Sequence, residues 1–119
     1  PQHPQELAQH NLVVSTATGS MHRWQFDGAR PVRLQPQLAL NTNDAVIEAA
    51  LSGFGVTRLL SYQVSREVAA GRLQILLEDY EPRPRPIHIV HREGRFTPTR
   101  IRAIIEFIIA DHGTEPLVR

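Results

Sequence analysis

A run of short polar side chains is the part of the sequence best suited to bind a ligand. It follows the apolar residues Leu38 and Leu40 directly and consists of Asn41, Thr42, Asn43 and Asp44. Asn and Asp side chains accept hydrogen bonds from first-turn amides, which have no partner inside a helix. Apolar residues then recur at roughly helical spacing, at Val46, Ile47, Ala50 and Leu51. We therefore predict a helix that begins in this run, at the carboxyl end of a strand, where parallel-sheet proteins hold ligands.

The histidines do not show the spacing of a metal site. Two imidazoles share a metal ion when they lie on one helix face or in a tight turn. His88 and His91 lie in or beside a predicted strand at an odd separation, so their side chains point to opposite sides. The remaining histidines form no convincing pair: His3, His10, His22 and His112. Cysteine is absent, which excludes thiolate ligands and disulfide scaffolds. We expect neither a metal nor another cofactor.

The sequence also lacks the signatures of common catalytic sites. It contains no Gly-x-Ser-x-Gly elbow and no glycine loop that would hold phosphate, and the Gly53/Gly55 pair lacks the third glycine of a dinucleotide fingerprint. The carboxylates Glu78, Asp79 and Glu81 are clustered, so a catalytic pair is one interpretation. A charged cluster beside prolines is more commonly a solvated surface. We predict that the chain is not an enzyme.

The elements that position the polar run alternate between strands and helices, which predicts an α/β fold. Strands are predicted at 11–15, 32–34, 38–40, 56–60, 73–77 and 87–90. Helices are predicted at 3–10, from the polar run 41–44 to Gly53, and at 62–70. Gly53 and Gly55 end the second helix, Ser61 caps the third, and Gly71 ends it. Another strand contains Trp24, which alternates with polar residues and is expected in the core rather than against a ligand.

Composition limits the remaining possibilities. The chain has 119 residues, a net charge of +1 and arginine as its only strongly basic residue type, without the dense basic face of a DNA-binding domain. No apolar run approaches the roughly 20 residues of a membrane span. The prolines in 78–86 impose an extended path, which we interpret as a crossover between subdomains; a partner-binding motif is the alternative.

The last predicted helix opens at Thr97-Pro98 and is apolar on more than one side. One face carries four isoleucines: Ile101, Ile104, Ile105 and Ile108. Phe107 and Ile109 extend the apolar surface beyond that face. We therefore expect two partners for this helix, namely its own sheet and another subdomain or subunit.

Three segments that make up most of the chain match a known family: HPQELAQHNLVV, WQFDGARPVRLQPQLALNTNDAVIEAALSGFGVTRLLSYQV and AAGRLQILLEDYEPRPRPIHIVHREGRFTPTRIRAIIEFI. On these segments the chain resembles the effector-binding domain of LysR-type transcriptional regulators. The order and spacing are similar to a subfamily with a tryptophan strand, an Asn-rich helix start and a Leu-Ser-Tyr-Gln helix entry. The resemblance implies a three-layer αβα fold like type II periplasmic binding proteins, with an effector between two subdomains.

The resemblance also implies that the chain is a fragment. It corresponds to subdomain II at 1–77, a proline-rich crossover at 78–86, the returning strand and last helix of subdomain I at 87–112, and a tail at 113–119. The DNA-binding domain and the first half of subdomain I would be absent. We expect the exposed apolar surface to cause self-association or swapping of the returning segment.

The resemblance places effector contacts at Asn41, Thr42, Asn43 and Asp44, with a weaker contribution from the loop containing Ser15 and Thr16. Capping by Asn43 and Asp44 is the alternative role. The implied function is a cytoplasmic ligand-sensing domain of an oligomeric regulator, which reaches DNA only through its amino-terminal domain. Because the side of the effector cleft that subdomain I forms would be absent, we expect the fragment to bind effector poorly. A solute-binding component of a transporter is the alternative from another class, and a small α/β enzyme is disfavoured.

Overall fold

The computed structural model of the chain describes residues 1–19, 22–86, 88–90 and 98–112. The chain divides into two compact units, Pro1–Arg83 and Pro84–Arg119. The division lies within the proline-rich segment 78–86. The assignment of the two parts to subdomains of a larger domain stays a prediction, and the tail at 113–119 lies outside the described residues.

The first unit contains four short strands and two α-helices. The strands are β1 (Val13–Ser15), β2 (Arg23–Trp24), β3 (Val32–Arg33) and β4 (Leu38–Leu40), and the helices are α1 (Asn43–Leu51) and α2 (Ser61–Ala69). Single turns of 3-10 helix occur at Thr16–Thr18 and Glu78–Tyr80, and a longer one covers Pro4–Gln9. The predicted α/β composition is therefore confirmed, and the helix predicted at 3–10 has 3-10 geometry.

A small parallel sheet is the centre of the first unit. Strands β1 and β4 are parallel, with Val13 beside Leu38 and Ser15 beside Leu40. Val56 lies at the other edge of β1 through a parallel bridge to Leu12. The remaining strands, β2 and β3, form a separate antiparallel pair. Strand β1 thus has neighbours on both edges and fixes the position of the segments before α1 and α2.

The buried side chains collect on β1 and on the segments around it. One cluster contains Leu7, Leu12, Val14, Trp24, Val32 and Leu34, with Phe26, Val56 and Leu77 packed against it. Trp24 is only 5% exposed, which confirms the prediction of a core role. Val13 and Val46 are fully buried, and α1 contacts β1 and β4. Because successive strand side chains alternate between faces, α1 covers the face of β1 opposite the Trp24 cluster.

Three predicted strands are wrong in extent or in kind. Of 56–60, only Val56 pairs with a strand, because the chain leaves the sheet there and turns into α2 within a few residues. Residues 73–77 are irregular, and Leu77 has a φ of 60°, which is incompatible with a strand. Residues 88–90 are also irregular, after prolines that remove backbone donors; Ile87 lies outside the described residues.

The helix ends follow the predicted chemistry with two corrections. Gly53 (φ 79°) and Gly71 (φ 68°) adopt left-handed conformations just beyond α1 and α2, as expected for glycines that end helices. Gly55 has a different role from the one predicted, because it lies against the backbone of Asn11. The prediction that Ser61 caps α2 is also wrong: Leu60 is at the cap position, and its amide donates to Oε1 of Gln63 at 2.9 Å.

The second unit contains one helix among its described residues, α3 (Thr99–His112). The amides of Ile101 and Arg102 donate to the carbonyl of Pro98. Pro98 therefore precedes the first helical residue, and Thr97 lies outside the described residues. Most side chains of α3 whose exposure is described are solvent-exposed.

Candidate functional site

The predicted ligand-binding residues lie where the parallel sheet ends and α1 begins. Ser15 is the last residue of β1 and is in register with Leu40, the last residue of β4. The chain then passes through Asn41 and Thr42 and enters α1 at Asn43. The carboxyl ends of two parallel strands and the amino end of a helix therefore meet at one edge, which is the usual position of ligands in such folds.

A hydrogen bond joins the two predicted parts of the site. The Ser15 hydroxyl donates to Oδ1 of Asn43 at 2.7 Å. Ser15 is 4% exposed, while Asn43 is half-buried. Because one group is almost fully buried and the contact is short, the hydrogen bond fixes the Asn43 side chain relative to the sheet. The structure thus brings together two residues that are 28 positions apart in the chain.

Thr42 is the residue that caps α1. Its backbone is extended, with a φ of −128°, and its Oγ1 accepts a hydrogen bond from the amide of Ala45 at 3.3 Å. The alternative prediction that Asn43 and Asp44 cap the helix is therefore wrong. Both residues lie inside the first turn, and the Asn43 side-chain oxygen is bound by Ser15 instead. A polar run with several cap-competent residues does not reveal which of them adopts the extended cap conformation.

The remaining predicted residues surround this hydrogen bond on the surface. Asn41, Thr42, Asp44 and Thr16 are exposed, and Thr16 begins the 3-10 turn directly after Ser15. In the hydrogen bond with Ser15, Asn43 uses its carbonyl oxygen, which leaves its amide NH2 group as a donor. The edge therefore offers hydrogen-bond donors beside the positive end of the helix dipole, an arrangement that suits a small anionic group.

A shallow groove of about 450 Å³ lies elsewhere in the first unit and was not predicted. It is lined by Glu48, Leu51, Glu67 and Arg72. Arg72 forms a salt bridge with Glu67. The charges that line the groove are thus partly neutralised by each other, and none of the predicted ligand-binding residues lines it.

In the part of the chain that the structure describes, the carboxylate and histidine candidates do not converge on a catalytic or metal site, and His91 lies outside that part. Glu78, Asp79 and Glu81 are all exposed, as expected for a solvated surface. Among residues 1–19, 22–86, 88–90 and 98–112, no group of three or more histidines and acidic residues has the geometry to hold a metal ion. His3 instead contacts Tyr80 edge to face, with ring centroids 5.2 Å apart.

The described strands and helices define an α/β domain with a parallel sheet, and sequence comparison identifies its family. Residues 1–112 match the model of the LysR substrate binding domain. The chain belongs to this family. It is 33% identical over 116 residues to the HTH-type transcriptional regulator PtxR of Pseudomonas aeruginosa, covering 95% of this chain and 37% of PtxR. It is 26% identical over 116 residues to the regulator CrgA of Neisseria meningitidis, covering 95% of this chain and 39% of CrgA.

Solved structures agree with this family. The regulatory domain of CrgA superposes with a TM-score of 0.78 and 25% identity, over 93% of this chain and 56% of that domain chain. The regulatory domain of AphB from Vibrio vulnificus has the same fold, with a TM-score of 0.78 at 22% identity over 92% of this chain and 56% of that chain. The chain thus spans little more than a third of the curated relatives it matches. In the part of the chain that the structure describes, no helix is long and apolar enough to cross a membrane.

Proposed function

We propose that the chain is the ligand-sensing part of a LysR-type transcriptional regulator, and that a small anionic effector binds at the amino end of α1. The observation that carries the proposal is the hydrogen bond between Ser15 and Asn43 at the carboxyl edge of the parallel sheet. It fixes an amide donor beside the first turn of a helix. Membership of the LysR substrate-binding family supports a sensing role for that edge.

The proposed contacts divide by chemistry. Asn43 donates from its NH2 group, and Asn41 and Thr42 supply further short polar side chains at the surface. Thr16 approaches from the turn after β1, where Ser15 acts as a positioning residue through Asn43. Asp44 lies in the first turn of α1. Its carboxylate is attracted by the positive end of the helix dipole but repels a bound anion. We therefore expect Asp44 to border the ligand rather than to bind it.

The sensing mechanism follows from an effector held between two walls. In the complete protein, a three-layer αβα domain of the type II periplasmic-binding-protein kind would place a second subdomain opposite this edge. An effector that contacts both walls stabilises the closed state by its difference in affinity for the two states. Closure would change how the subunits of a homo-oligomer are arranged, and thereby the spacing of the amino-terminal DNA-binding domains. The same holds if the subunits exchange the returning segment. The protein would act in the cytoplasm and catalyse no reaction.

A transporter solute-binding component shares the fold and is the competing function. The regulators PtxR and CrgA favour the sensing role, since both are transcriptional regulators. The sequence of the complete gene product separates the two: a helix-turn-helix region supports regulation, whereas a secretion signal supports transport.

The experiment that tests the site uses the complete gene product and a library of small carboxylates and phosphates. We expect at least one compound to raise the unfolding temperature, because a ligand that binds only the folded state stabilises it. Calorimetric titration of that compound into Asn43→Asp then tests the site. This substitution keeps the acceptor oxygen for Ser15 but replaces the NH2 donor with a negatively charged oxygen, so we expect affinity to fall more than tenfold.

The matched control is Glu48→Gln, which changes one exposed side chain later on α1 and should leave the affinity unchanged. Unfolding of the ligand-free Asn43→Asp protein should stay close to that of the original. If Asn43→Asp binds the compound as tightly as the unchanged protein does, the effector does not use this edge.

A further inference from the structure

The turn after strand β2 contains an aspartate that is followed by a glycine. Asp27 and Gly28 lie in the segment that joins β2 to β3, and both residues are exposed. Gly28 has a φ of 67°, and a Cβ atom placed there would meet nothing within 4 Å. The surroundings of this dipeptide are therefore open to solvent and uncrowded.

An aspartate that precedes a glycine can rearrange with water as the only other reactant. The Gly28 amide nitrogen attacks Cγ of the Asp27 carboxyl group, a C–N bond forms and one water molecule leaves, which gives a five-membered succinimide ring. Glycine favours this step because it has no Cβ atom to crowd the ring. Water then cleaves the ring. Cleavage of the new bond restores aspartate, whereas cleavage of the original peptide bond gives isoaspartate, in which the chain runs through Cβ and Cγ and the α-carboxyl group is free.

The atoms that react at this dipeptide are not held by other groups. In the part of the chain that the structure describes, the Asp27 carboxylate has no hydrogen-bond or ion-pair partner, and the Gly28 amide donates no hydrogen bond. The Asp27 amide donates to the carbonyl of Tyr80 at 3.0 Å. That hydrogen bond holds the backbone on the amino side of Asp27, so it leaves the carboxyl group and the next amide free to approach each other.

The amides that follow the other three aspartates of the chain are held by hydrogen bonds. Asp44 lies in the first turn of α1, and the amide after it donates to the helix cap at 3.3 Å. Asp79 precedes Tyr80, whose amide donates to the carbonyl of Leu77 at 2.9 Å. Asp111 lies in the last turn of α3, where amides donate to carbonyls one turn earlier. A hydrogen-bonded amide reacts only after local opening, so the fold slows rearrangement at these three positions.

We propose that Asp27 is a site of spontaneous isomerisation to isoaspartate in the folded protein, and that the fold protects the other three aspartates. The modification lengthens the backbone path between β2 and β3 by one carbon atom and places a carboxylate directly on the main chain. It occurs three residues after Trp24, which β2 contributes to the core. The product has the same mass as the original protein, because one water molecule is lost and one is gained.

Peptide mapping of the complete gene product, incubated at pH 6 and 37 °C, tests the site. Trypsin releases Asp27 in the peptide 24–33, because it does not cleave between Arg30 and Pro31. The isoaspartate form of this peptide has an unchanged mass but elutes separately, and electron-transfer fragmentation identifies it. We expect the isomerised fraction at Asp27 to grow at least about tenfold faster than the fraction at each of the other three aspartates.

Synthetic peptides separate the effect of the fold from the effect of the sequence. The peptides 24–33 and 73–83 contain Asp27 and Asp79 without the fold. We expect the folded protein to isomerise Asp27 within about threefold of the rate in its peptide, and Asp79 at least about tenfold more slowly than in its peptide. Asp27→Glu is the control: it keeps the charge and the amide donor but needs a six-membered ring, so its peptide 24–33 should stay unchanged. If the fold slows Asp27 as much as Asp79, or if peptide 24–33 of the incubated protein contains no isoaspartate, the proposal is wrong.

Discussion

Gly55 is the residue at which the smallest change should most disturb the fold. A Cβ atom placed there would lie 2.1 Å from the carbonyl oxygen of Asn11 and 2.7 Å from its carbonyl carbon. The same carbonyl oxygen accepts a hydrogen bond from the amide of Val56 at 2.8 Å, and the Val56 carbonyl accepts one from Val13 at 2.9 Å. The glycine thus permits the close approach that attaches the chain after α1 to the edge of β1.

The expected loss of stability for Gly55→Ala follows from these contacts. The two nearest obstructing atoms are backbone atoms of Asn11 and the third is its Cβ, so no side-chain rotation relieves the overlap and the two segments must separate. Overpacking of this kind costs about 1–3 kcal/mol. Each of the two hydrogen bonds contributes a net stability of about 0.5–1.5 kcal/mol. We therefore expect Gly55→Ala to destabilise the first unit by about 2–4 kcal/mol, which lowers the unfolding temperature by roughly 10 °C or more.

Urea unfolding followed by tryptophan fluorescence measures this loss. Trp24 is the only tryptophan and lies in the core of the same unit. Gly71→Ala is the control: its Cβ would meet nothing within 4 Å, although its φ of 68° disfavours alanine, so the loss should be only about 1 kcal/mol. Adding Asn11→Gly to Gly55→Ala should not restore stability, because the backbone oxygen remains. A Gly55→Ala protein as stable as the Gly71→Ala control would refute the described approach of the two segments.

Two further substitutions test the core and the start of α1. Trp24→Ala should lower the free energy of unfolding by about 3–5 kcal/mol, which is a large part of the stability of a small domain. Far-ultraviolet circular dichroism should show loss of secondary structure in this variant and a smaller loss of secondary structure in Trp24→Phe. Thr42→Ala should lower the free energy of unfolding by about 1 kcal/mol because it removes the acceptor for the Ala45 amide, whereas Thr42→Ser should be nearly neutral. Chemical unfolding of both variants measures this difference. Equal losses would show that the hydroxyl does not cap the helix.

The features that the sequence predicts well are those determined by neighbouring residues. The polar run and the apolar spacing after it predict α1, and the alternation around Trp24 predicts its burial. Gly53 and Gly71 predict helix ends because a left-handed residue is needed just beyond each helix. In each case the chemistry acts within one or two turns of the chain, so a short window of sequence contains the cause.

The features that the sequence does not predict depend on distant partners. Residues 56–60 and 73–77 have the composition of strands, but a strand also needs an adjacent edge, and only Val56 has one. The role of Gly55 depends on Asn11, which precedes it by more than 40 positions. Leu77 packs against the core in a left-handed conformation that nothing in its local sequence favours. Each of these results follows from tertiary contacts that override local preference.

Asn43 shows how one side chain can serve both the fold and a ligand. Its carbonyl oxygen is bound by the nearly buried Ser15 hydroxyl, so its structural role uses the acceptor half of the amide. That hydrogen bond also fixes the orientation of the donor half, which would otherwise be free to exchange places with the oxygen by a rotation of the amide. A donor held in one orientation loses less entropy when it binds an anion. The structural role of Asn43 is therefore the physical basis for its proposed role in recognition, and the two roles are separable because they use different atoms.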